Sequence, residues 1–442
     1  MFRDSTIDRR IIHPAEKLAL KRLFVTALLV RLALAVFFNV TELDRTLRLT
    51  KDGFVYTAAG SQIAEYYRSG GTTEWPQRVE GVINFLFYYI VGGIFFLTFD
   101  SLFMLRVMTC LAGAFTCVVI WRISRYITDG PTSMRAAQWA AWFPTQVYYS
   151  TLPVRDSFST LAMCFIFLGL VAMSVNGKPR DIGALFVGLL LTAGFRTYMF
   201  VIVLVLIPFS WLVTVVFVKS RQASRLVKRA FLFLLVFAVV GAMAGIEKAF
   251  VTGKAAHLMS YESALDFANV ARDRLNHGSG AMFARGDAPT IGREIVSTVQ
   301  SIAVGLYFFV MSVNPGSLDS IRQWMAIPEV LIVMVMIPKL YRGVRRVWVY
   351  HRFSFMPLLI IAGAITFGYS GVTTNGGPMM RWRLQVANVY LIIGAIGYPS
   401  RYAIGNHSSQ SRFPELWADG SAMQGRPISG AGSANQMHEK TE

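Results

Sequence analysis

The sequence is poor in charged residues and in cysteine. Asp, Glu, Lys and Arg make up only 15% of the 442 residues, whereas hydrophobic residues make up 54% and aromatic residues 13%. A soluble chain of this length would form two or three domains with amphipathic elements, and this composition argues against that class. The three cysteines, Cys110, Cys117 and Cys164, all lie in apolar segments. Their placement argues against a disulfide framework and against a thiol-based metal site.

Acidic residues are also scarce, with 25 Asp and Glu against 43 Lys and Arg, for a net charge of +18. The basic residues are bunched in short loops between apolar runs, so the sequence predicts no nucleic-acid partner. The apolar runs approach the roughly 20 residues that cross a bilayer as a helix. An open sheet would leave unpaired backbone groups in lipid, and a barrel would show short alternating segments. The fold class predicted is therefore an all-α polytopic membrane protein.

Basic loops mark the cytoplasmic side, and this rule predicts about ten transmembrane helices with both termini cytoplasmic. The predicted spans are 23–40, 102–121, 136–152, 157–175, 182–195, 198–218, 230–246, 326–340, 354–371 and 384–399. Two further apolar segments, 82–98 and 299–313, are predicted to be interfacial or re-entrant helices on the external side. A full crossing at either segment would place the basic loops that follow on the external side of the membrane.

The same pattern divides the chain into regions. A cytoplasmic tail (1–22) precedes a transmembrane domain (23–400), which includes external loops at 41–101 and 247–325. The final segment, 401–442, is rich in Ser, Gly, Asn, Gln and Pro and is predicted to be a disordered cytoplasmic tail. We find no fixed-period repeat, which argues weakly against a transporter built from inverted halves.

Several charged residues are predicted at the external ends of helices. They come from four separate parts of the chain: Asp52, the pair Arg155 and Asp156, Arg196, and the pair Arg381 and Arg383. Charges near membrane depth are costly unless they are paired or line a wet cavity, so their gathering predicts a functional site.

Each of these residues also has a purely structural interpretation. Asp52 can solvate a loop, and Asp156 can cap the following helix. Arg196 can snorkel from a helix junction. The segment Arg381-Trp382-Arg383 can be an interfacial anchor.

The functional interpretation assigns a role to each. Asp52 is the candidate catalytic base, since an attacking hydroxyl must lose its proton. Arg381, Arg383 and Arg196 are candidate phosphate ligands, because guanidinium groups stay charged and bind phosphate bidentately. Arg155 and Asp156 form a possible second-loop site. Tyr56, at the start of a predicted short amphipathic helix (56–67), is a candidate substrate-binding residue.

The order of these features resembles the GT-C superfamily of membrane glycosyltransferases, particularly its branch similar to protein mannosyltransferases and aminoarabinose transferases. The resemblance rests on Lys51-Asp52-Gly53-Phe54-Val55-Tyr56 after the first span, on Leu152-Pro153-Val154-Arg155-Asp156-Ser157, and on the late Met380-Arg381-Trp382-Arg383. It spans roughly residues 20 to 400, and it implies a GT-C-like helical bundle.

The resemblance also implies a function. It predicts transfer of a sugar from a polyprenyl-phosphate donor to a glycan, lipid or protein acceptor at the external, periplasmic face of a bacterial inner membrane. The sequence shows no Asp-x-Asp or His cluster, so transfer without a cofactor is expected, with a divalent metal left open.

Two other classes stay open. An envelope polysaccharide polymerase or ligase would use an undecaprenyl-linked donor and depend on arginines more than on Asp52. A flippase or transporter of lipid-linked sugar would move its substrate without forming a glycosidic bond.

Overall fold

The computed structural model describes residues 14–43, 51–73, 85–175, 179–217, 306–307, 321–372 and 376–398. Within those ranges the chain forms twelve α-helices and no β-strand. The prediction of an all-helical architecture is confirmed there. The predicted span 230–246, most of segment 299–313, the loop 247–298 and the predicted tail 401–442 lie outside the described residues.

The helices are numbered in chain order. They are α1 (Pro14–Thr41), α2 (Lys51–Arg68), α3 (Phe85–Thr98), α4 (Leu102–Arg125), α5 (Gly130–Trp142), α6 (Pro144–Thr151), α7 (Asp156–Val175), α8 (Pro179–Phe195), α9 (Thr197–Phe217), α10 (Ile321–Tyr350), α11 (Arg352–Val372) and α12 (Gly376–Gly397).

Among the helices that the structure describes, four are long and apolar enough to cross a membrane by length and composition, namely α1, α4, α7 and α9. Shorter apolar stretches lie in α3, α8 and α11. These helices coincide with predicted apolar segments and are consistent with a polytopic membrane protein. The count of about ten crossings stays a prediction.

Two predicted details were wrong. The single span expected over 136–152 is instead two helices, α5 and α6, separated at Phe143, whose backbone is extended. The cause is Pro144, since a residue before proline is driven out of the helical region and proline suits the first position of a helix. Asp52 also lies in the first turn of α2 and not in a loop.

Close packing of α7 against α8 places two of the candidate residues near each other. A Cβ added at Gly169 would lie 2.5 Å from the backbone nitrogen of Leu185, and one at Gly188 would lie 2.6 Å from that of Ile166. Only glycine permits such an approach of two helix backbones. The start of α7, with Asp156, is thereby held beside the junction of α8 and α9, with Arg196.

Candidate active site

Side chains from four parts of the chain meet around Arg381, near the start of α12. Arg381 Nη1 donates to Asp52 Oδ2 at 2.6 Å. Its Nε donates to Asp156 Oδ2 at 3.0 Å, and its Nη2 forms a salt bridge with the same oxygen at 2.8 Å. One guanidinium therefore bridges the first turn of α2 and the first residue of α7. The structure thus brings together Asp52, Asp156 and Arg381, three of the residues predicted for the site.

Asp156 is the buried centre of this group, with only 1% of its side chain exposed. Arg196 donates to its other oxygen, Oδ1, and is itself 3% exposed. Arg196 is held further by Tyr198, whose hydroxyl lies 2.6 Å from Nη1. Both oxygens of Asp156 thus carry a guanidinium, which is the arrangement that a buried carboxylate requires.

Arg155 adds a third guanidinium beside Asp156. Its Cζ lies 5.7 Å from the ring centre of Tyr56, a cation–π contact. Its Nε and Nη1 atoms are buried and have no hydrogen-bond partner in the described part of the chain. Burial and the nearby charge of Arg196 lower the pKa of Arg155 from its ordinary value. Unsatisfied buried donors on a cation are costly, and they are the donors that an anion would use.

Tyr56 is a buried residue of α2 that packs edge-on against Phe87 and Tyr88 of α3. Burial, opposed by Arg155 and assisted by Asp52 and Asp156, raises the pKa of Tyr56 to about 12. Its hydroxyl is therefore neutral at physiological pH and is a hydrogen-bonding group, not a base.

Arg383 lies apart from this group. It was predicted to bind phosphate together with Arg381, but it donates to Glu329 of α10, also approaches Thr145 of α6, and is only 5% exposed. Residues i and i+2 of an α-helix are rotated by about 200° from each other around the helix axis. The two arginines therefore point to opposite sides of α12.

Glu329 is the residue that the sequence analysis missed. It is 1% exposed and accepts hydrogen bonds from Arg383 and from the backbone nitrogen of Thr145, the latter at 2.9 Å. A signal was present, because an acidic residue inside a predicted span is by itself a sign of a paired or functional group.

Around Asp156 the described residues carry three guanidinium groups and two carboxylates. The guanidiniums belong to Arg155, Arg196 and Arg381, and the carboxylates to Asp52 and Asp156. These five side chains therefore have a net charge of one positive unit. No group of three His, Cys, Asp or Glu side chains gathers within the described ranges. The arrangement can bind an anion, and Asp52, 46% exposed, is the carboxylate that a substrate can reach.

The opposite ends of the same helices carry a different set of basic residues. Arg125, at the end of α4, pairs with Glu16 in the first turn of α1 at 2.9 Å. Arg346 of α10 donates to the carbonyl of Ile396, near the end of α12, at 2.7 Å. Arg381 lies near the start of α12, and Arg106, near the start of α4, donates to the carbonyl of Thr151 at 3.2 Å, close to the segment that leads to Asp156. The site and this basic end therefore lie at opposite ends of the bundle.

Part of the chain matches a known family. Residues 84–243 match the model of a family described as dolichyl-phosphate-mannose-protein mannosyltransferase. The resemblance to GT-C glycosyltransferases is confirmed. The match indicates a membrane glycosyltransferase of the GT-C type, and it includes Arg155, Asp156 and Arg196. A search of curated proteins found no match to the chain.

Proposed function

We propose that this GT-C-type chain transfers a sugar from a polyprenyl-phosphate carrier to a hydroxyl of a cell-envelope glycan, lipid or protein. The observation that carries the proposal is the bridge from Arg381 to Asp52 and Asp156, with Arg196 on the second oxygen of Asp156. It joins an accessible carboxylate to a surplus of positive charge, and these are the two groups that such a reaction needs.

The leaving group in this reaction is already an anion. The acceptor oxygen attacks the anomeric carbon, a new carbon–oxygen bond forms, and the bond to the phosphate oxygen breaks with its electron pair. Polyprenyl phosphate then departs with increased negative charge, which favours fixed cations over a general acid. Arg381 and Arg155 are the proposed phosphate ligands, and Arg196 is proposed to act beside them through Asp156.

Asp52 is the proposed base. In the structure it pairs with Arg381. A donor phosphate would compete for that guanidinium, since phosphate accepts hydrogen bonds from arginine in the same bidentate manner as a carboxylate. Donor binding would release the Asp52 carboxylate to take the proton of the acceptor hydroxyl. The site would therefore gain its base only when the donor is present.

The external face is the proposed side of the membrane. The opposite end of the helices carries Arg125 and Arg346, and basic residues accumulate on the cytoplasmic side of membrane proteins. In a bacterium this would place the site on the periplasmic side of the inner membrane, where lipid-linked sugars donate to envelope polymers.

The test compares lipid-linked and surface glycans by mass spectrometry in cells that carry the native chain, Asp52→Asn or Arg381→Ala. We expect both variants to lose the transferred sugar by a factor of about 100 or more. Asp100→Asn is the matched control, because Asp100 is also a half-exposed carboxylate, 41% exposed, and pairs with Arg68. Its glycans should equal those of the native chain.

Three outcomes contradict the proposal in different ways. Identical glycans in all strains exclude the assigned site. If Asp52→Asn retains transfer while Arg381→Ala loses polymer, the chain is a polymerase or ligase whose chemistry depends on arginines. Transport of the lipid-linked sugar without bond formation would instead indicate a flippase.

A further inference from the structure

The segment Arg381-Trp382-Arg383 is fixed to three different neighbours. Arg381 contacts Asp52 and Asp156, whereas Trp382 stacks on Tyr369 of α11 with ring centres 4.4 Å apart. Arg383 faces Glu329 of α10. Successive residues of a helix point about 100° apart, so contacts in three directions define the rotation of α12 about its own axis.

Glu329 satisfies donors from two helices at once. Its Oε1 accepts from Arg383 of α12, and its Oε2 accepts from both the backbone nitrogen and the hydroxyl of Thr145 in α6. The Arg383 guanidinium also lies over the Phe143 ring, at the break before α6, with 5.7 Å to the ring centre. A single buried carboxylate on α10 therefore ties the start of α6 to the start of α12.

The helices α6 and α12 place two residues of the site. The chain runs from α6 through residues 152–155 directly to Asp156, and α12 carries Arg381. The distance between Arg381 and Asp156 thus depends on how α6 and α12 are placed relative to each other. Further along, α10 and α12 pack so closely that a Cβ at Gly343 would overlap the carbonyl of Ile393. Glu329 is consequently carried on an element with little freedom to move relative to α12.

We propose that Glu329, together with Arg383, is a positioning residue that sets the placement of Arg381 for binding the donor phosphate. Neither side chain touches the donor. This inference rests on the function proposed above and goes further, because it assigns one arginine of the motif to binding and the other to alignment. Substituting Glu329 alters phosphate binding through Arg381 and through no contact of its own.

The experiment uses the purified full chain in detergent and undecaprenyl phosphate as the probe, with affinity measured from the rise in unfolding temperature as the lipid is added. Glu329→Gln should weaken binding by about 10- to 100-fold, since small misplacements of positioned groups cost that much. Glu16→Gln is the matched control, because Glu16 also pairs with an arginine, Arg125, but at the opposite end of the bundle. It should bind the lipid as the native chain does.

A double-mutant cycle separates positioning from general loosening of the fold. In an Arg381→Ala background, Glu329→Gln should change binding by less than about twofold, because the contact that it adjusts is already gone. Equal fold-losses in the native and Arg381→Ala backgrounds would overturn the inference.

Glu329→Gln leaves Arg383 without its carboxylate and lowers stability, so a second variant is needed. Glu329→Met with Arg383→Met removes both charges, and replacing a buried pair by apolar residues of similar size is often neutral for stability. We expect this variant to unfold near the native temperature and still bind undecaprenyl phosphate weakly. Native binding by this variant would overturn the positioning role. If Arg381→Ala itself binds undecaprenyl phosphate like the native chain, the proposed function fails instead.

Discussion

Two arginines that stand two residues apart on α12 have opposite surroundings. Arg381 is 23% exposed and divides its nitrogens between Asp52 and Asp156, in a group where guanidiniums outnumber carboxylates. Arg383 is 5% exposed and donates to Oε1 of Glu329, whose other oxygen accepts from Thr145. One carboxylate partner of Arg381, Asp52, is partly exposed and can be exchanged for another anion, whereas the partner of Arg383, Glu329, is buried.

The difference shows what an anion site requires beyond an arginine. An arginine already neutralised by a buried carboxylate would have to break that pair to accept phosphate, and leaving a buried charge without its partner is strongly unfavourable. Arg381 can exchange Asp52, which is 46% exposed and is resolvated when it leaves. Arg381 and Arg383 therefore differ as anion ligands because of solvent access and the surplus of positive charge around Arg381, although both are arginines.

The largest effect is expected from breaking the buried side of the Arg381 group. Asp156→Ala leaves Arg196 without its carboxylate in a buried position and should lower the free energy of unfolding by about 3–5 kcal/mol. Asp52→Ala removes a half-exposed partner and should cost less than about 1 kcal/mol. Thermal and denaturant unfolding of the purified chain in detergent measures both. Equal costs would show that the two carboxylates do not differ in burial as described.

The next largest effect is expected on sugar transfer when each of the two arginines is replaced by lysine. Arg381 uses three nitrogens to bridge two carboxylates, and a lysine has one ammonium group that cannot span them. Arg381→Lys should therefore reduce sugar transfer by about 10- to 100-fold. Arg383 reaches Glu329 through Nη2, a contact that one ammonium can replace.

Arg383→Lys should accordingly keep transfer within about threefold of the native chain, when glycans are compared at equal amounts of protein in the membrane. The reverse order, with Arg383→Lys the more damaging variant, would contradict the assignment of phosphate binding to Arg381.

Much of this arrangement could be anticipated from the sequence. Apolar runs marked the helices, and the basic loops placed Asp52, Asp156 and Arg381 at the same ends of their helices although they are far apart in the chain. The meeting of these three helix ends could therefore be predicted, whereas the number and direction of the crossings stay predictions.

Local geometry was less readable. Arg381 and Arg383 were assigned to one site from their spacing, although positions i and i+2 of a helix do not face each other. The partner of Arg383 could not be derived, since Glu329 comes from α10, and helix packing decides which residues of separate helices meet. The helix break at Phe143 could have been predicted from Pro144, but the predicted span 136–152 did not take this proline into account.

A smaller effect tests the residue that separates the two arginines. Trp382 stacks on Tyr369 with the planes 25° apart, and such aromatic pairs contribute about 0.5–1.5 kcal/mol beyond their buried area. Trp382→Leu should lower stability by at least this amount and weaken undecaprenyl phosphate binding by a few-fold, because α12 loses one of the contacts that define its rotation. Tyr369→Leu is the matched change on the other ring and should give a similar loss. A loss confined to stability would show that the two charged contacts fix α12 without the stack.

The smallest effect is expected at Tyr56, which lies on the Arg381 side of the comparison. Its pKa is raised to about 12, so the phenol is stabilised in its neutral form and loses its proton only at a pH well above the physiological range. Tyr56→Phe should therefore leave the pH dependence of transfer between about pH 6 and 9 unchanged and lower the rate by less than about twofold, since the ring still faces Arg155. Tyr56→Leu removes the ring and should cost more. A pH profile that shifts in Tyr56→Phe would show that the phenol takes part in proton transfer, and the role of base would then have to be divided between Tyr56 and Asp52.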